Sequence, residues 1–269
     1  MTSILQHQLP SISARAMRAM VLLALTLTIG WVSSALAAES TSSCVTCHSD
    51  PNLLVTNKKL YDYYRLWEQS VHGQEGVTCS DCHNGNPELP TKKGAHGAQG
   101  MAAASQSSPV NYKNVPHTCA QCHEEFYNDF IKSKHYKESM VKEKTRRGPN
   151  CVTCHGSVNT TVLNVNTVRS TCELCHNDET RNHPDIPDRA AAVLNKFLSV
   201  QRFYNYLANK EDLLQNPGAV SVIDKMKTSI FVDWHTFEIA MIEKRTVELL
   251  DIMKEKRNEI RSHLKDSKN

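Results

Sequence analysis

All ten cysteines of this 269-residue chain fall in five copies of one pattern, Cys-x-x-Cys-His. The copies are Cys44-Val45-Thr46-Cys47-His48, Cys79-Ser80-Asp81-Cys82-His83, Cys119-Ala120-Gln121-Cys122-His123, Cys151-Val152-Thr153-Cys154-His155 and Cys172-Glu173-Leu174-Cys175-His176. Two thiols at this spacing can bond the two vinyl groups of one haem, and the adjacent histidine then reaches the iron. Zinc would need Cys-x-x-Cys units in pairs that close tetrahedral sites, and five units pair badly. Thioredoxin-like redox motifs need a strand-helix setting, and structural disulfides would not all share one gap. The pattern reads as five covalently attached haems c, with the ten cysteines as attachment points. His48, His83, His123, His155 and His176 would be iron ligands.

The sixth iron ligand separates a wire from an enzyme. An iron held by two histidines is closed and suits electron transfer, whereas an empty sixth position can bind a small molecule. Seven histidines remain outside the motifs and His7. His72 and His135 stand out because each ends a Ser-x-His triplet after an aromatic-rich stretch. His96 sits in Gly94-Ala95-His96-Gly97, and His183 follows the fifth motif in Arg181-Asn182-His183-Pro184. His235 lies beside Trp234 and Phe237 in a helical pattern, and His117 precedes Cys119 by two residues. His263, among lysines and arginines near the chain end, reads as solvent-exposed. Six candidates for five irons do not force any haem open. Met101 and Met140 are available as thioether ligands.

The segments that must position these groups are short. Motif starts are separated by 35, 40, 32 and 21 residues, leaving little room for independent folds between them. A repeat is visible: Tyr61 to Trp67, then Ser70-Val71-His72 and Gly76 before the second motif; Phe126 to Ile131, then Ser133-Lys134-His135 and Gly148 before the fourth. Gly97 to Ser108, rich in small residues, reads as a flexible surface loop between the halves. After Pro184 and Pro187 the pattern becomes helical, with Asp188 a candidate cap for a helix to about Leu214. Ala191, Leu194, Phe197, Leu198 and Leu207 fall on one face of that helix. Asn216-Pro217-Gly218 breaks it. A second run of about 45 residues carries Ile223, Met226, Ile230, Trp234, Phe237, Met241, Leu249, Met253 and Ile260 at three- and four-residue steps. No alternating strand series appears. The expected fold is mostly α, with a haem-filled core, irregular loops and two long C-terminal helices.

Composition agrees with a core that is not only side chains, since the 17 aromatics make up just 6% of residues. Arg15 and Arg18 precede an apolar run from Ala19 to Val32, and Ser33-Ser34-Ala35-Leu36-Ala37 then supplies an A-x-A pattern. Residues 1–37 therefore read as a signal peptide, residues 38–187 as the pentahaem domain and residues 188–269 as a helical hairpin packed on it. The expected location is the periplasm, or the membrane surface if the leader is kept as an anchor. Removing it takes two arginines and no acids, so 31 basic against 28 acidic residues becomes 29 against 28. Ten haem propionates against five ferric cores then bring the oxidised protein to about −4. That balance argues against nucleic acid and for basic redox partners. The basic stretch Lys142 to Arg147 reads as a solvated loop.

The order Cys-x-x-Cys-His, Trp67-x-x-Ser70-x-His72, Gly76-Val77-Thr78-Cys79-x-x-Cys82-His83, Gly94-Ala95-His96, then a further Cys-x-x-Cys-His with Ser133-x-His135, resembles the multihaem cytochrome c superfamily. That group contains pentahaem nitrite reductase, hydroxylamine oxidoreductase and smaller electron-transfer relatives. The likeness covers Cys44 to Pro187. It implies His72 and His135 as distal ligands and haems stacked in close pairs. The nitrite reductases replace one motif histidine by lysine at the catalytic haem, and the hydroxylamine oxidoreductases carry about eight haems and a crosslinked tyrosine. Neither feature is present here. The expected role is electron transfer between a quinol-linked donor, including a quinol-oxidising membrane protein, and a terminal reductase or outer-membrane conduit. Two other readings stay open: a reductase with one open haem acting on nitrite, hydroxylamine or a sulfur oxyanion, and a subunit of a haem filament joined through the long helix.

Overall fold

The computed structural model describes residues 42–97, 101–141, 148–216 and 218–267. The leader and Lys142 to Arg147 lie outside the described residues. Those that are described form α-helices, short 3₁₀ and π turns and loops, with no strand among them. The fold is mostly α, as the sequence implies.

The first stretch consists of short helices. They are α1 (Ser43–His48), α2 (Leu53–Thr56), α3 (Lys58–Glu68), α4 (Val71–Gln74), α5 (Cys79–His83), α6 (Lys92–Ala95), α7 (Val115–Ala120), α8 (Glu124–Phe130), α9 (Lys134–Tyr136), α10 (Cys151–His155) and α11 (Val165–Glu173). Three longer helices follow: α12 (Ile186–Ala208), α13 (Gly218–Asp233) and α14 (Ile239–Asp266).

Apolar burial divides the molecule. A contiguous core runs from Val168 through Ala190, Val193, Val200, Leu207, Ile223, Ile230, Ile242, Leu249 and Met253 to Ile260. Each fully buried Leu or Ile there contributes about 1.5–3 kcal/mol against leaving it exposed. Upstream of Val168 the buried hydrophobic side chains are Val115 and Phe130, while Leu54, Val55, Leu66, Leu89 and Val162 are exposed. Short helices without an apolar core do not hold themselves together, so the region carrying the motifs needs another source of contact area.

The C-terminal helices depart from expectation in three places. α12 starts at Ile186 rather than after Asp188. Asp188 sits in its first turn and takes an ion pair from Arg169 Nε at 2.7 Å, tying α11 to α12. Leu198 faces outward, while Ala190, Val193 and Val200 complete the buried stripe. The 45-residue run is not one helix. It breaks at a 3₁₀ turn over Trp234–Thr236, and Phe237 takes the left-handed φ of 58°. The expected hairpin is thus three helices, with an elbow lying against α8. Glycine-poor chain does not enter that conformation on its own. Phe237 is held there by packing against the rings of His135 and Phe130, with centroids 4.4 Å and 6.4 Å away.

The loop from Gly97 to Ser108, expected to be flexible, is pinned over its described part. Asn111 and Asn114 side chains donate to the carbonyls of Ala103, Gln106 and Ser108, and Ser108 is fully buried.

Candidate haem centres

Helical geometry explains the motif spacing. Positions i, i+3 and i+4 share one helix face. The first, second and fourth motifs each form a one-turn helix ending in the histidine: α1, α5 and α10. Two of these turns begin with a reciprocal cap. The Thr78 amide donates to Asp81 Oδ2 at 2.7 Å before Cys79, and the Asn150 amide donates to Thr153 Oγ1 at 3.1 Å before Cys151. Buried Asn150 also donates through Nδ2 to the Tyr112 carbonyl, so the fourth motif is anchored to the chain ahead of the third. The third and fifth motifs instead begin at the ends of helices α7 and α11, and their histidines follow in a turn.

The Ser-x-His triplets behave alike. Ser70 and Ser133 are buried and cap the short helices α4 and α9, accepting from Gly73 N at 3.1 Å and Tyr136 N at 3.0 Å. Each serine therefore restarts the chain as a single helical turn and projects the histidine two positions on. In the first triplet the return is so tight that a Cβ on Gly73 would lie 2.2 Å from the Trp67 carbonyl oxygen.

The histidine rings pair across the molecule. His48 faces His96 with centroids 6.2 Å apart, and His123 faces His72 at 6.0 Å. His176 faces His135 at 6.0 Å, and His155 faces His235 at 6.1 Å with ring planes only 17° apart. A metal–imidazole bond of about 2 Å on each side, plus roughly 1 Å from ring centre to ligating nitrogen, gives a separation of about 6 Å. The residues fit an iron held between two imidazoles at four of the five motifs. By contrast, no three His, Cys, Asp or Glu side chains among the described residues converge as a cage for a bare ion, which zinc would require.

A ligating histidine uses one ring nitrogen for the metal and fixes its orientation through the other. That second contact is seen on five of the paired rings, His96, His235, His72, His155 and His176. Nδ1 of His96 meets the Lys92 carbonyl at 2.9 Å, and that of His235 meets the Val232 carbonyl at 3.2 Å. His72 Nδ1 meets Thr160 Oγ1 at 2.9 Å. His155 and His176 each reach the carbonyl six residues ahead, on Thr161 at 2.9 Å and Asn182 at 2.6 Å. In all five the other nitrogen, Nε2, is left for iron. Protonation is disfavoured as well. Burial and the facing His176 push His135 down to about 4, and burial lowers His48, His72 and His235 with a facing histidine contributing. Neutral imidazole is the form that binds metal.

The motifs also form a series. Burial and the nearby thiols of Cys119 and Cys122 raise Cys82, and the Cys151 thiol contacts Cys119. Burial, with Cys172 and Cys175 nearby, pushes Cys154 up to about 11. His48 lies near enough to His83 to lower it beyond the effect of burial. Consecutive motifs are thus neighbours in space from the first to the fifth.

Two candidate ligands lie elsewhere. His117 is exposed and stands 5.2 Å from the ring of Tyr127. His183 is exposed at a left-handed φ of 50°, and the segment serves the fifth motif through the Asn182 carbonyl instead. His263 is exposed near the end of α14, as its sequence suggests. Thr160, Thr161 and Asn182 were not legible as functional residues. Thr161 and Asn182 share a six-residue offset from a motif histidine, whereas Thr160 serves His72 across 88 residues, and both signals become visible only when the hydrogen bonds are known.

The chain's sequence is similar to known cytochromes over part of its length. Residues 58–165, less than half of the chain, match the cytochrome c552 family model. A stretch of 62 residues is 34% identical to cytochrome c-552 of Haemophilus influenzae (strain 86-028NP), covering 23% of this chain and 10% of that relative's length. No solved structure matches. These likenesses are to c-type cytochromes, whose haem is covalently bound through motifs of the kind this chain carries.

Proposed function

We propose that this chain is a c-type cytochrome that carries five haems c and serves as an electron-transfer chain in the periplasm. Haem supplies the one-electron couple, and the protein sets spacing, ligation and burial. The observation that carries the reading is the set of four facing histidine pairs, each uniting a motif histidine with one from a distant segment. An iron closed on both sides exchanges electrons without binding substrate. Consecutive motifs in contact give electrons a path from Cys44 to Cys175. The leader-like start supports export, and a mildly acidic oxidised protein suits basic patches on a quinol-linked donor and on a reductase or outer-membrane conduit.

The test is direct. The mature protein should give five haems by pyridine haemochrome and mass, predominantly low-spin ferric spectra, and rapid reduction by a quinol-oxidising membrane partner. Fewer haems, or a mature N-terminus at Met1, would overturn the count or the location respectively.

A further inference from the structure

The first Ser-x-His histidine, His72, passes over the motif that follows it and faces His123 of the third. Its ring is oriented by a different kind of contact from the others. His96, His235, His155 and His176 each place Nδ1 against a backbone carbonyl three to six residues away. His72 places it against a side-chain hydroxyl, Thr160 Oγ1, 88 residues along the chain. A neighbouring carbonyl comes with the local turn, whereas a hydroxyl from so far away has to be brought.

The fourth motif brings it. α10 ends at His155, and Gly156 turns the chain at a φ of 84°, where an added Cβ would lie 2.7 Å from Asn159 Oδ1. The loop then closes on His155 twice. The Thr161 amide donates to the His155 carbonyl at 2.9 Å, and His155 Nδ1 donates to the Thr161 carbonyl at 2.9 Å. Thr160, one residue before this closure, meets two consecutive residues of α4. Its carbonyl accepts from the Val71 amide at 3.5 Å, and its hydroxyl lies 2.9 Å from His72 Nδ1. Adjacent threonines therefore hold imidazoles of two centres, His72 for the third and His155 for the fourth.

We infer that Thr160 is a positioning residue of the third centre. With His72 Nε2 turned to iron, Nδ1 carries the proton and donates to the Thr160 hydroxyl, which fixes the ring angle and strengthens the imidazole as a ligand. A more basic ligand favours ferric iron, so this bond lowers the potential of the third centre. The loop that orients the histidine of the fourth motif thereby tunes the third. The inference rests on the five-haem reading with paired histidines and deepens it by naming the residue that sets one potential.

The experiment uses the full mature protein with its haems. Haem count by pyridine haemochrome comes first, then His72→Ala, which should turn one low-spin ferric haem high-spin. A count below five, or unchanged spectra in His72→Ala, sinks the paired-histidine reading and this inference with it. With both satisfied, the near-isosteric Thr160→Val should raise one midpoint potential and move one low-spin signal in electron paramagnetic resonance. Thr160→Ala should do the same, and Thr160→Ser, which keeps the hydroxyl, should restore the original values. In the His72→Ala background, Thr160→Val should have no further effect. Potentials and signals unchanged by the loss of the hydroxyl would overturn the inference. So would a shift that Thr160→Ser fails to restore, or one that persists without His72, since either marks a packing role alone.

Discussion

The second and fourth motifs occupy corresponding places in the two halves, yet their surroundings differ. Both begin a one-turn helix with a reciprocal cap, and both are passed over by the Ser-x-His triplet of their own half. His155 of the fourth is faced by His235 from a helical unit with its own apolar core. The second lies in the part of the chain that buries almost no apolar side chains and has no comparable helices around it. A repeated local motif therefore fixes where a haem is attached and which way its proximal histidine points. Whether the far side is closed depends on what else the fold brings there.

The comparison can be broken most directly at the elbow. His235→Ala should open the fourth centre, converting one low-spin haem to high-spin and adding a carbon monoxide site. Unchanged spectra would mean that the facing rings do not ligate. Gly73→Ala comes next. Its Cβ would press on the Trp67 carbonyl, and overpacking of this kind costs about 1–3 kcal/mol. The melting temperature should fall, and ligation by His72 should weaken while that by His135 holds, because Tyr136 occupies the matching place in the second half. Ser70→Ala and Ser133→Ala should each cost about 1 kcal/mol through loss of a helix cap, and equally if the halves are true repeats. Unequal losses in thermal unfolding would show that one turn is held by other contacts. The smallest effect is expected at Lys196→Ala, which removes an exposed ion pair to Glu243 between α12 and α14. It should cost less than about 1 kcal/mol and leave every haem spectrum untouched.

Much of this was legible in the sequence because the chemistry is local. Five Cys-x-x-Cys-His pentapeptides name the candidate attachment points and proximal ligands, and the Ser-x-His repeat singles out His72 and His135. The pairing of those histidines with the third and fifth motifs was not legible, since a ligand's partner depends on tertiary path rather than on proximity in sequence. His183, seven residues past His176, looked better placed than His96, but its left-handed turn brings the Asn182 carbonyl to His176 instead, while the ring of His96 faces His48. The elbow was hidden for another reason. Ile230, Trp234, Phe237 and Met241 keep helical spacing straight through it, and the tertiary packing of Phe237 against His135 and Phe130 cannot be read from that spacing.

That elbow also sets an order in time. On the five-haem reading, cysteines 151 and 154 are made and can accept their haem well before residue 235 exists. The iron at His155 can gain its second imidazole only once the last helices have been made and folded onto α8. The fourth centre is therefore the last of the four paired sites to mature, and a chain truncated before the elbow would leave the iron at His155 without its second imidazole.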